Sequence, residues 1–322
     1  MPSATAPSIG LAEVRAAAQR ISRHIVRTPF ERSAVLSEVV GTEVWLKYEC
    51  FQLTGSFKLR GALNALLLLD ARDVVTASAG NHGLGVARAA HLLGRTATVV
   101  VPETASPAKV EALRQSGAEL IQVGPTYDEA ELAAIQLSRD RGVPYVSAYN
   151  DAGVVAGGGT IALEVLEDVP EVRTFVVPAG GGGLISGVGV AAHGVNPEAH
   201  VYGVQSEASP ALHAALVHGG LVPVDVHDSL ADGLSGNVEA GSITFGLMQT
   251  HVKEVGLVSE TAIANAMRWM LRNEHVLVEG SAAVGIAALL EHKLDVSGPV
   301  AVILTGRNVA ATVLSKLLLA EL

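Results

Sequence analysis

The 322-residue sequence predicts an α/β fold with two doubly wound domains and mostly parallel sheets. Short apolar segments alternate with longer helical patterns along most of the chain, which is the pattern of consecutive βαβ units. Hydrophobic residues make up 49% of the chain and aromatic residues only 4%. Small aliphatic side chains of this kind suit helices that pack closely on parallel sheets. The length is sufficient for two domains.

The hydrophobic pattern places the elements in order. In the first predicted strand, 43–48, Val44, Leu46 and Tyr48 share one face, with Trp45 and Lys47 on the other. Further strands are predicted at 74–76, 96–101, 119–123, 144–146, 174–177, 200–205, 252–257 and 299–304. Helices are predicted at 12–24, 57–69, 82–93, 107–116, 127–141, 154–167, 183–193, 211–218, 243–250, 260–274, 282–290 and 309–319. Three consecutive glycines within 151–159 suggest a hinge.

Composition excludes several classes of function. The net charge is −10 and no basic stretch stands out, which argues against binding to nucleic acid or an anionic membrane. The single cysteine, Cys50, excludes an intramolecular disulfide and is expected to be a small buried residue. Residues 1–10 lack the features of a signal peptide, and 175–192 contains too many glycines for a membrane helix. We therefore expect a soluble, cytoplasmic protein.

Lys58 stands at the head of an apolar helical run, directly after the residues Thr-Gly-Ser-Phe. An ε-amine held at such a loop–helix junction can form a Schiff base with a carbonyl cofactor. A solvated lysine in the first turn of a helix would give the same local pattern. The interpretation of Lys58 therefore depends on three further motifs.

The first motif is a run of glycines between an apolar strand and a helix, formed by Gly180, Gly181, Gly182 and Gly183 and followed by Leu184. Without Cβ atoms the backbone can point consecutive N–H groups at one spot, and the helix N-terminus adds positive potential. A tight strand–helix turn needs only one or two glycines. The run therefore predicts a phosphate site.

The other two motifs also follow predicted strands. Ser78-Ala79-Gly80-Asn81-His82 can bind a carboxylate or a phenolic oxygen, since parallel sheets bind ligands at the carboxyl ends of their strands. Thr305 follows the last strand and can hydrogen-bond a ring nitrogen. Simple helix capping explains Ser78 or Asn81 at least as well, and for Thr305 taken alone it is the better explanation.

Together, these four segments resemble the β-family (fold type II) of pyridoxal-phosphate enzymes, in its threonine dehydratase and serine racemase branch. The resemblance runs from about residue 27 to the last helix. It implies a tryptophan synthase β-like fold with pyridoxal 5'-phosphate in the cleft between two domains. Residues 1–70 and 150–322 would form the large cofactor-binding domain, and 71–149 a small mobile substrate-binding domain.

The resemblance also implies residue roles. Lys58 would be the Schiff-base residue and general base, with Phe57 beside the cofactor ring. The remaining cofactor contacts would come from Asn81, Gly180, Gly181, Gly182, Gly183, Leu184, Glu279 and Thr305. The substrate carboxylate would lie on the loop of Ser78, Ala79, Asn81 and His82. The Asp232–Gly233 turn would border the pocket.

The implied reaction is β-elimination from a β-hydroxy amino acid such as threonine or serine, giving a 2-oxo acid and ammonia. A neutral hydroxyl at Thr305 cannot hold a ring nitrogen protonated as a carboxylate would, which favours elimination. Serine racemase is the nearest alternative. The racemase branch has a serine where this chain has Ala79, which has no exchangeable proton. A dehydratase is therefore favoured.

Two departures from the branch concern metal and substrate. Gln205 replaces a metal-binding acid, with Ser209 and Ala211 at the other ligand positions, so we expect no metal site of the family type. A shifted site involving Glu207 stays open. Arg307 replaces a usual glycine and can pair with a second substrate carboxylate, or be a surface residue. A modified substrate, 3-hydroxyaspartate or a hydroxyectoine-derived amino acid, therefore stays open.

Two other classes of protein compete with this interpretation. Residues 187–192 fit the G-x-G-x-x-A pattern of a nicotinamide-dependent oxidoreductase, but the pattern falls inside a predicted helix. A non-catalytic amino-acid-binding module would have no need of Lys58. We expect an enzyme that acts on a small amino acid and forms a homo-oligomer, most simply a homodimer.

Overall fold

The computed structural model, which describes residues 9–319, contains two separate β-sheets. The strands, numbered in chain order, are β1 (Phe30–Ser33), β2 (Val44–Lys47), β3 (Asp73–Ala77), β4 (Thr96–Val101), β5 (Glu119–Gln122), β6 (Thr174–Pro178), β7 (His200–Ser206), β8 (Glu254–Val258) and β9 (Val300–Ile303). The larger sheet has the order β1-β2-β9-β6-β7-β8 and the smaller one β3-β4-β5. Only β1 and β2 pair antiparallel. The predicted α/β class with mostly parallel sheets is confirmed.

Helices fill the connections between these strands. They are α1 (Leu11–Ile21), α2 (Ala34–Val40), α3 (Lys58–Leu68), α4 (Asn81–Leu92), α5 (Pro107–Gln115), α6 (Tyr127–Arg141), α7 (Ala152–Asp168), α8 (Gly183–Val195), α9 (Ala211–His218), α10 (Ile243–His251), α11 (Glu260–Trp269), α12 (Gly280–Leu290) and α13 (Ala311–Leu319). Ser259 caps α11, because its hydroxyl accepts from the Ala262 N–H at 3.1 Å.

Several predicted elements are wrong. Strand β1 and helix α2 are not among the predicted elements, and the predicted strand at 144–146 is reduced to one bridge between Val75 and Tyr145. The helix predicted over 260–274 changes to a π-helical turn at Met270–Glu274. A π turn inserts one residue into the helical repeat, and apolar periodicity alone does not reveal it.

The proposed hinge at 151–159 is also wrong. Asp151 caps α7, and the three glycines lie buried inside that helix. A Cβ at Gly157 would lie 2.6 Å from the carbonyl oxygen of Arg60, and one at Gly159 would lie 2.5 Å from that of Gly187. The glycines therefore allow α3 and α8 to pack closely on α7, which is a rigid arrangement.

Residues 175–192 divide into β6, the glycine run and most of α8. Gly187 and Gly189 lie inside α8 rather than at a strand–helix turn, so the dinucleotide pattern has the wrong geometry. In residues 9–319, no helix is long and apolar enough to cross a bilayer.

A buried ionic network fixes α3, the helix that begins at Lys58. Arg60 is fully buried and forms ion pairs with Glu49 at 2.8 Å and with Glu164 of α7 at 2.7 Å. Lys47 of β2 is also buried and pairs with Glu164 at 2.6 Å. Because each buried charge has an opposite partner, the network joins α3, α7 and β2 without an uncompensated charge.

Candidate active site

The loop before Lys58 runs beside the segment that follows β9. Ser56 and Gly306 form an antiparallel bridge, and the Phe57 N–H donates to the Thr305 carbonyl at 3.0 Å. Gly55 has a φ of +72°, at which an L side chain would be strained, and its carbonyl accepts from the Arg307 N–H at 2.9 Å. These contacts bring Lys58 and Thr305 together, as predicted.

The Lys58 amine is held on the inner side of this loop. Its Nζ donates to the carbonyl oxygen of Ala148 at 3.1 Å and lies 5.4 Å from the centroid of the Phe57 ring. Burial lowers the pKa of Lys58 to about 8, although the charge of Glu279 acts in the opposite direction. A substantial fraction of the amine is therefore neutral near pH 8, as a nucleophile or general base requires.

The glycine run forms a cradle at the start of α8. Gly182 has a φ of +89°, and the Gly181 carbonyl accepts from the Thr244 hydroxyl at 2.8 Å. In residues 9–319, the backbone N–H groups of 181–184 donate to no protein acceptor. Free N–H groups at a helix N-terminus suit a phosphate.

Neighbouring side chains also require glycine in this cradle. A Cβ at Gly181 would lie 2.4 Å from the Tyr149 ring, and one at Gly180 would lie 3.1 Å from the Cα of Leu234. Tyr149 directly follows Ala148, the residue that accepts from Lys58, so one short segment brings the amine and the cradle together. Sequence reasoning missed both residues, because a backbone carbonyl and an aromatic residue in a connection have no recognisable pattern.

Asn81 begins α4 and faces the part of the chain that carries the larger sheet. Its Nδ2 donates to Glu279 Oε1 at 2.7 Å, and its Oδ1 accepts from Asn308 Nδ2 at 2.7 Å. The Asn308 N–H donates to Glu279 Oε2 at 2.9 Å. Glu279 is 7% exposed, and burial raises its pKa to about 7. The predicted residues Asn81 and Glu279 therefore meet, and Asn308, which the sequence analysis missed, completes their network.

The start of α4 also offers donors to a substrate. The Ser78 hydroxyl accepts from the Gly80 N–H at 3.1 Å, which shapes the turn. In the described part of the chain, the backbone N–H groups of Ala79, Asn81 and His82 donate to no protein acceptor. Such a cluster of N–H groups at a helix N-terminus suits a carboxylate.

The imidazole of His82 is buried and hydrogen-bonds to the backbone. It is 3% exposed, and its Nε2 lies 3.1 Å from the carbonyl oxygen of Val146, so Nε2 carries the proton. Burial, followed by the charge of Lys58, lowers the pKa of His82 to about 3, and the ring is neutral at pH 7. Its Nδ1 is then an acceptor, and no partner for it lies within residues 9–319.

Thr305 and Cys50 flank the lysine loop. Thr305 is 4% exposed, and its carbonyl accepts from the Phe57 N–H at 3.0 Å. It lies six residues before α13, too far along the chain to cap that helix. Burial raises the pKa of the Cys50 thiol to about 12, as suits an inert core residue.

Arg307 and Gln205 mark the departures from the family pattern. Arg307 lies in the loop before α13, with its Cζ 5.1 Å from the centroid of the exposed Phe51 ring. The Gln205 Oε1 accepts from the N–H groups of Leu212 and His213 at 2.9 and 3.0 Å, which ties β7 to the start of α9. Glu207 is exposed. Over the range 9–319, no group of three or more His, Cys, Asp or Glu side chains is arranged to hold a metal ion.

Comparison with known proteins agrees with this geometry. Residues 21–306 match the family described as "Pyridoxal-phosphate dependent enzyme". The chain belongs to this family. It is also 43% identical to an L-threonine ammonia-lyase of Thermotoga maritima over 315 residues, which cover 96% of this chain and 78% of the relative.

Two solved structures resemble this pyridoxal-phosphate enzyme over nearly its whole length. A maize serine racemase has a TM-score of 0.91 at 33% identity, covering 97% of each chain. The processed form of threonine deaminase isoform 2 from Solanum lycopersicum has a TM-score of 0.88 at 32% identity, covering 96% of this chain and 86% of that one. The nicotinamide-dependent alternative is therefore wrong.

The residues present fit the cofactor that the family requires. The free N–H groups of 181–184 suit its phosphate, and Lys58 provides an amine of lowered pKa for its carbonyl carbon. The buried Thr305 hydroxyl suits its ring nitrogen, and the amide of Asn81 suits its phenolic oxygen. Each of these groups lies on one of the segments already joined by hydrogen bonds.

Proposed function

We propose that this protein removes the β-hydroxyl group and the amino group of a β-hydroxy amino acid, threonine or serine, to give a 2-oxo acid and ammonia. The observation that carries the proposal is the Lys58 amine, whose pKa is lowered by burial and which lies beside the cradle and the Asn81 network. The 43% identical relative named L-threonine ammonia-lyase supports threonine as the first substrate to test.

Each group of residues has a separate role in the reaction. Pyridoxal phosphate, when bound, supplies the electron sink for the bonds to the α-carbon of the substrate. The neutral Lys58 amine takes the α-proton. The N–H groups at the start of α4 hold the substrate carboxylate, and Glu279 and Asn308 fix the amide of Asn81.

Elimination then follows from the remaining groups. The α-proton moves to Nζ of Lys58, and the resulting ammonium returns a proton to the β-hydroxyl, which leaves as water. The released unsaturated amine then reacts with a second water to give the 2-oxo acid and ammonia. Thr305 presents a neutral hydroxyl, which cannot hold a ring nitrogen protonated as a carboxylate would. Ala79 offers no proton to the opposite side of the substrate. The hydroxyl of Thr305 disfavours a long-lived carbanion, and Ala79 favours elimination over racemisation.

An assay over a panel of amino acids tests this proposal. Purified protein loaded with pyridoxal phosphate is given L-threonine, L-serine, their D-enantiomers and 3-hydroxyaspartate, and formation of 2-oxo acid and ammonia is followed. We expect activity with L-threonine or L-serine and none in Lys58→Ala, which also loses the visible absorbance of the covalently bound cofactor. If no member of the panel yields a 2-oxo acid while the cofactor binds normally, the proposed reaction is wrong.

Arg307 is the proposed determinant for a second carboxylate. Its guanidinium lies at the exposed edge of the lysine loop, against Phe51. If it recognises 3-hydroxyaspartate or another dicarboxylic substrate, Arg307→Ala lowers kcat/KM for that substrate and leaves the value for serine unchanged. Equal effects on both substrates would contradict this role.

We also propose the coarser organisation that the family resemblance implies. Residues 71–149 carry the three-stranded sheet and would move as a small substrate-binding domain against 1–70 and 150–322. Val26, Phe51 and Leu53 are exposed apolar side chains that suit a contact between two copies in a homodimer. Sedimentation analysis tests the dimer, and cell fractionation tests the predicted cytoplasmic location.

A further inference from the structure

An ion pair joins the parts of the chain that carry the two sheets. Lys109 Nζ lies 2.6 Å from Asp232 Oδ2, and the two side chains are 40% and 60% exposed. Lys109 lies in the first turn of α5, beside the three-stranded sheet, and its N–H donates to the capping Ser106 hydroxyl. Asp232 begins a short turn, Asp232–Leu234, between α9 and α10. The pair therefore connects the part of the chain that carries the three-stranded sheet with the part that carries the six-stranded sheet.

The Asp232–Leu234 turn contacts two elements of the site. Leu234 packs on Gly180 of the cradle, where a Cβ would lie 3.1 Å from the Leu234 Cα. The Gly233 N–H donates to the Ser281 hydroxyl at 3.0 Å, in the first turn of α12. Glu279 immediately precedes that helix. A displacement of the turn would therefore reach both the cradle and Glu279.

We propose that Lys109 and Asp232 are positioning residues, whose ion pair holds α5 against the Asp232–Leu234 turn and so keeps the Glu279–Asn81 network and the cradle in place. Only the expected change in kcat/KM rests on the proposed function. An exposed pair contributes little to stability by itself. Its importance lies in the elements that it joins.

The charges around Glu279 give the pair a second, measurable effect. The charge of Asp232 raises the pKa of Glu279, and that of Lys109 lowers it, so the two charges act on Glu279 in opposite directions. Glu279 also interacts with Lys58 and Cys50, and neither belongs to the pair. Removing one member of the pair therefore exposes Glu279 to the other member's charge.

Three variants test the proposal with opposite expected signs. In Lys109→Met the uncompensated Asp232 raises the pKa of Glu279 further, and in Asp232→Asn the uncompensated Lys109 lowers it. In the double variant the pKa returns towards that of the parent protein. Carbon-13 NMR of protein labelled at the glutamate carboxyl carbons measures this, with the Glu279 signal assigned by its loss in Glu279→Gln. Arg141→Met is the matched control. Arg141 and Glu119 form a 2.8 Å pair of similar exposure (40% and 45%), but both residues lie in the part of the chain that carries the three-stranded sheet.

The kinetic measurement uses the full chain loaded with pyridoxal phosphate. We expect each single variant to lower kcat/KM for L-threonine about two- to fivefold, the double variant to lose no more than either single one, and Arg141→Met to match the parent. Shifts of the same sign in both single variants, no shift at all, or an equal shift in the control would overturn the proposal. The NMR result does not depend on turnover, so a failure of the proposed reaction would be recognised separately.

Discussion

At the scale of single residues, the behaviour of Lys58 depends on its surroundings. Burial lowers its pKa to about 8, and the charge of Glu279 acts to raise that pKa. The free amine takes a proton only when it is itself unprotonated, so activity should rise with pH until the pKa of Lys58 is passed. The position of this acid limb is therefore a measure of the charges around the amine.

We predict that Glu279→Gln moves the acid limb of kcat to lower pH. The substitution removes the negative charge that raises the pKa of Lys58, so that pKa falls and the amine stays neutral at lower pH. The amide also changes the partner of Asn81, and kcat itself should fall about tenfold. A pH profile with L-threonine measures both effects, and Glu291→Gln, at an exposed position after α12, is the control. An acid limb that moves to higher pH would contradict the argument.

Ala79 gives a second prediction at this scale. A hydroxyl introduced by Ala79→Ser can return a proton to the face of the α-carbon opposite Lys58, so D-serine should form from L-serine while 2-oxo acid production falls. Chiral chromatography detects the product. Ala79→Gly is the matched control, since it changes the loop without adding an exchangeable proton. If Ala79→Ser yields no D-serine, another group must set the reaction's outcome.

At the scale of elements, close helix packing depends on particular glycines. A Cβ at Gly187 of α8 would lie 2.2 Å from the carbonyl oxygen of Val155 in α7. We predict that Gly187→Ala lowers the free energy of unfolding by about 1–3 kcal/mol, because the two backbones must move apart. Gly246 lies inside α10, where a Cβ would meet nothing within 4 Å. Gly246→Ala should therefore be neutral or stabilising by about 0.5–1 kcal/mol in the same denaturation measurement.

The elements also show how far the sequence could lead. Lys58, the glycine run, the Asn81 loop and Thr305 could be predicted because each is a local motif at the junction of a strand or loop with a helix. Strand β1 was missed because its centre, Glu31 and Arg32, is charged and exposed at the edge of the sheet. Residues that act through long-range packing left no local pattern. Tyr149, Asn308 and Lys109 reach their partners only after the chain has folded.

At the scale of the whole molecule, the site draws on segments from most of the chain. Asn81 follows β3 of the smaller sheet, whereas the cradle and Thr305 follow β6 and β9 of the larger one. A cofactor bound to all three would contact parts of the chain more than 200 residues apart in sequence. The unfolded chain cannot present these groups together, so the cofactor binds only the folded state and stabilises it.

We therefore predict that removal of pyridoxal phosphate lowers the melting temperature. At about 100 times its dissociation constant the ligand contributes about 2.7 kcal/mol, and with an unfolding entropy of about 2.1 cal/mol/K per residue this corresponds to about 4 °C for a chain of this size. Differential scanning calorimetry of apoprotein and reloaded protein measures the change. Pyridoxal, which lacks the phosphate, is the control: it should raise the melting temperature less at the same concentration, because it leaves the N–H groups of 181–184 without their anion. Equal stabilisation by both compounds would show that the cradle does not bind the phosphate.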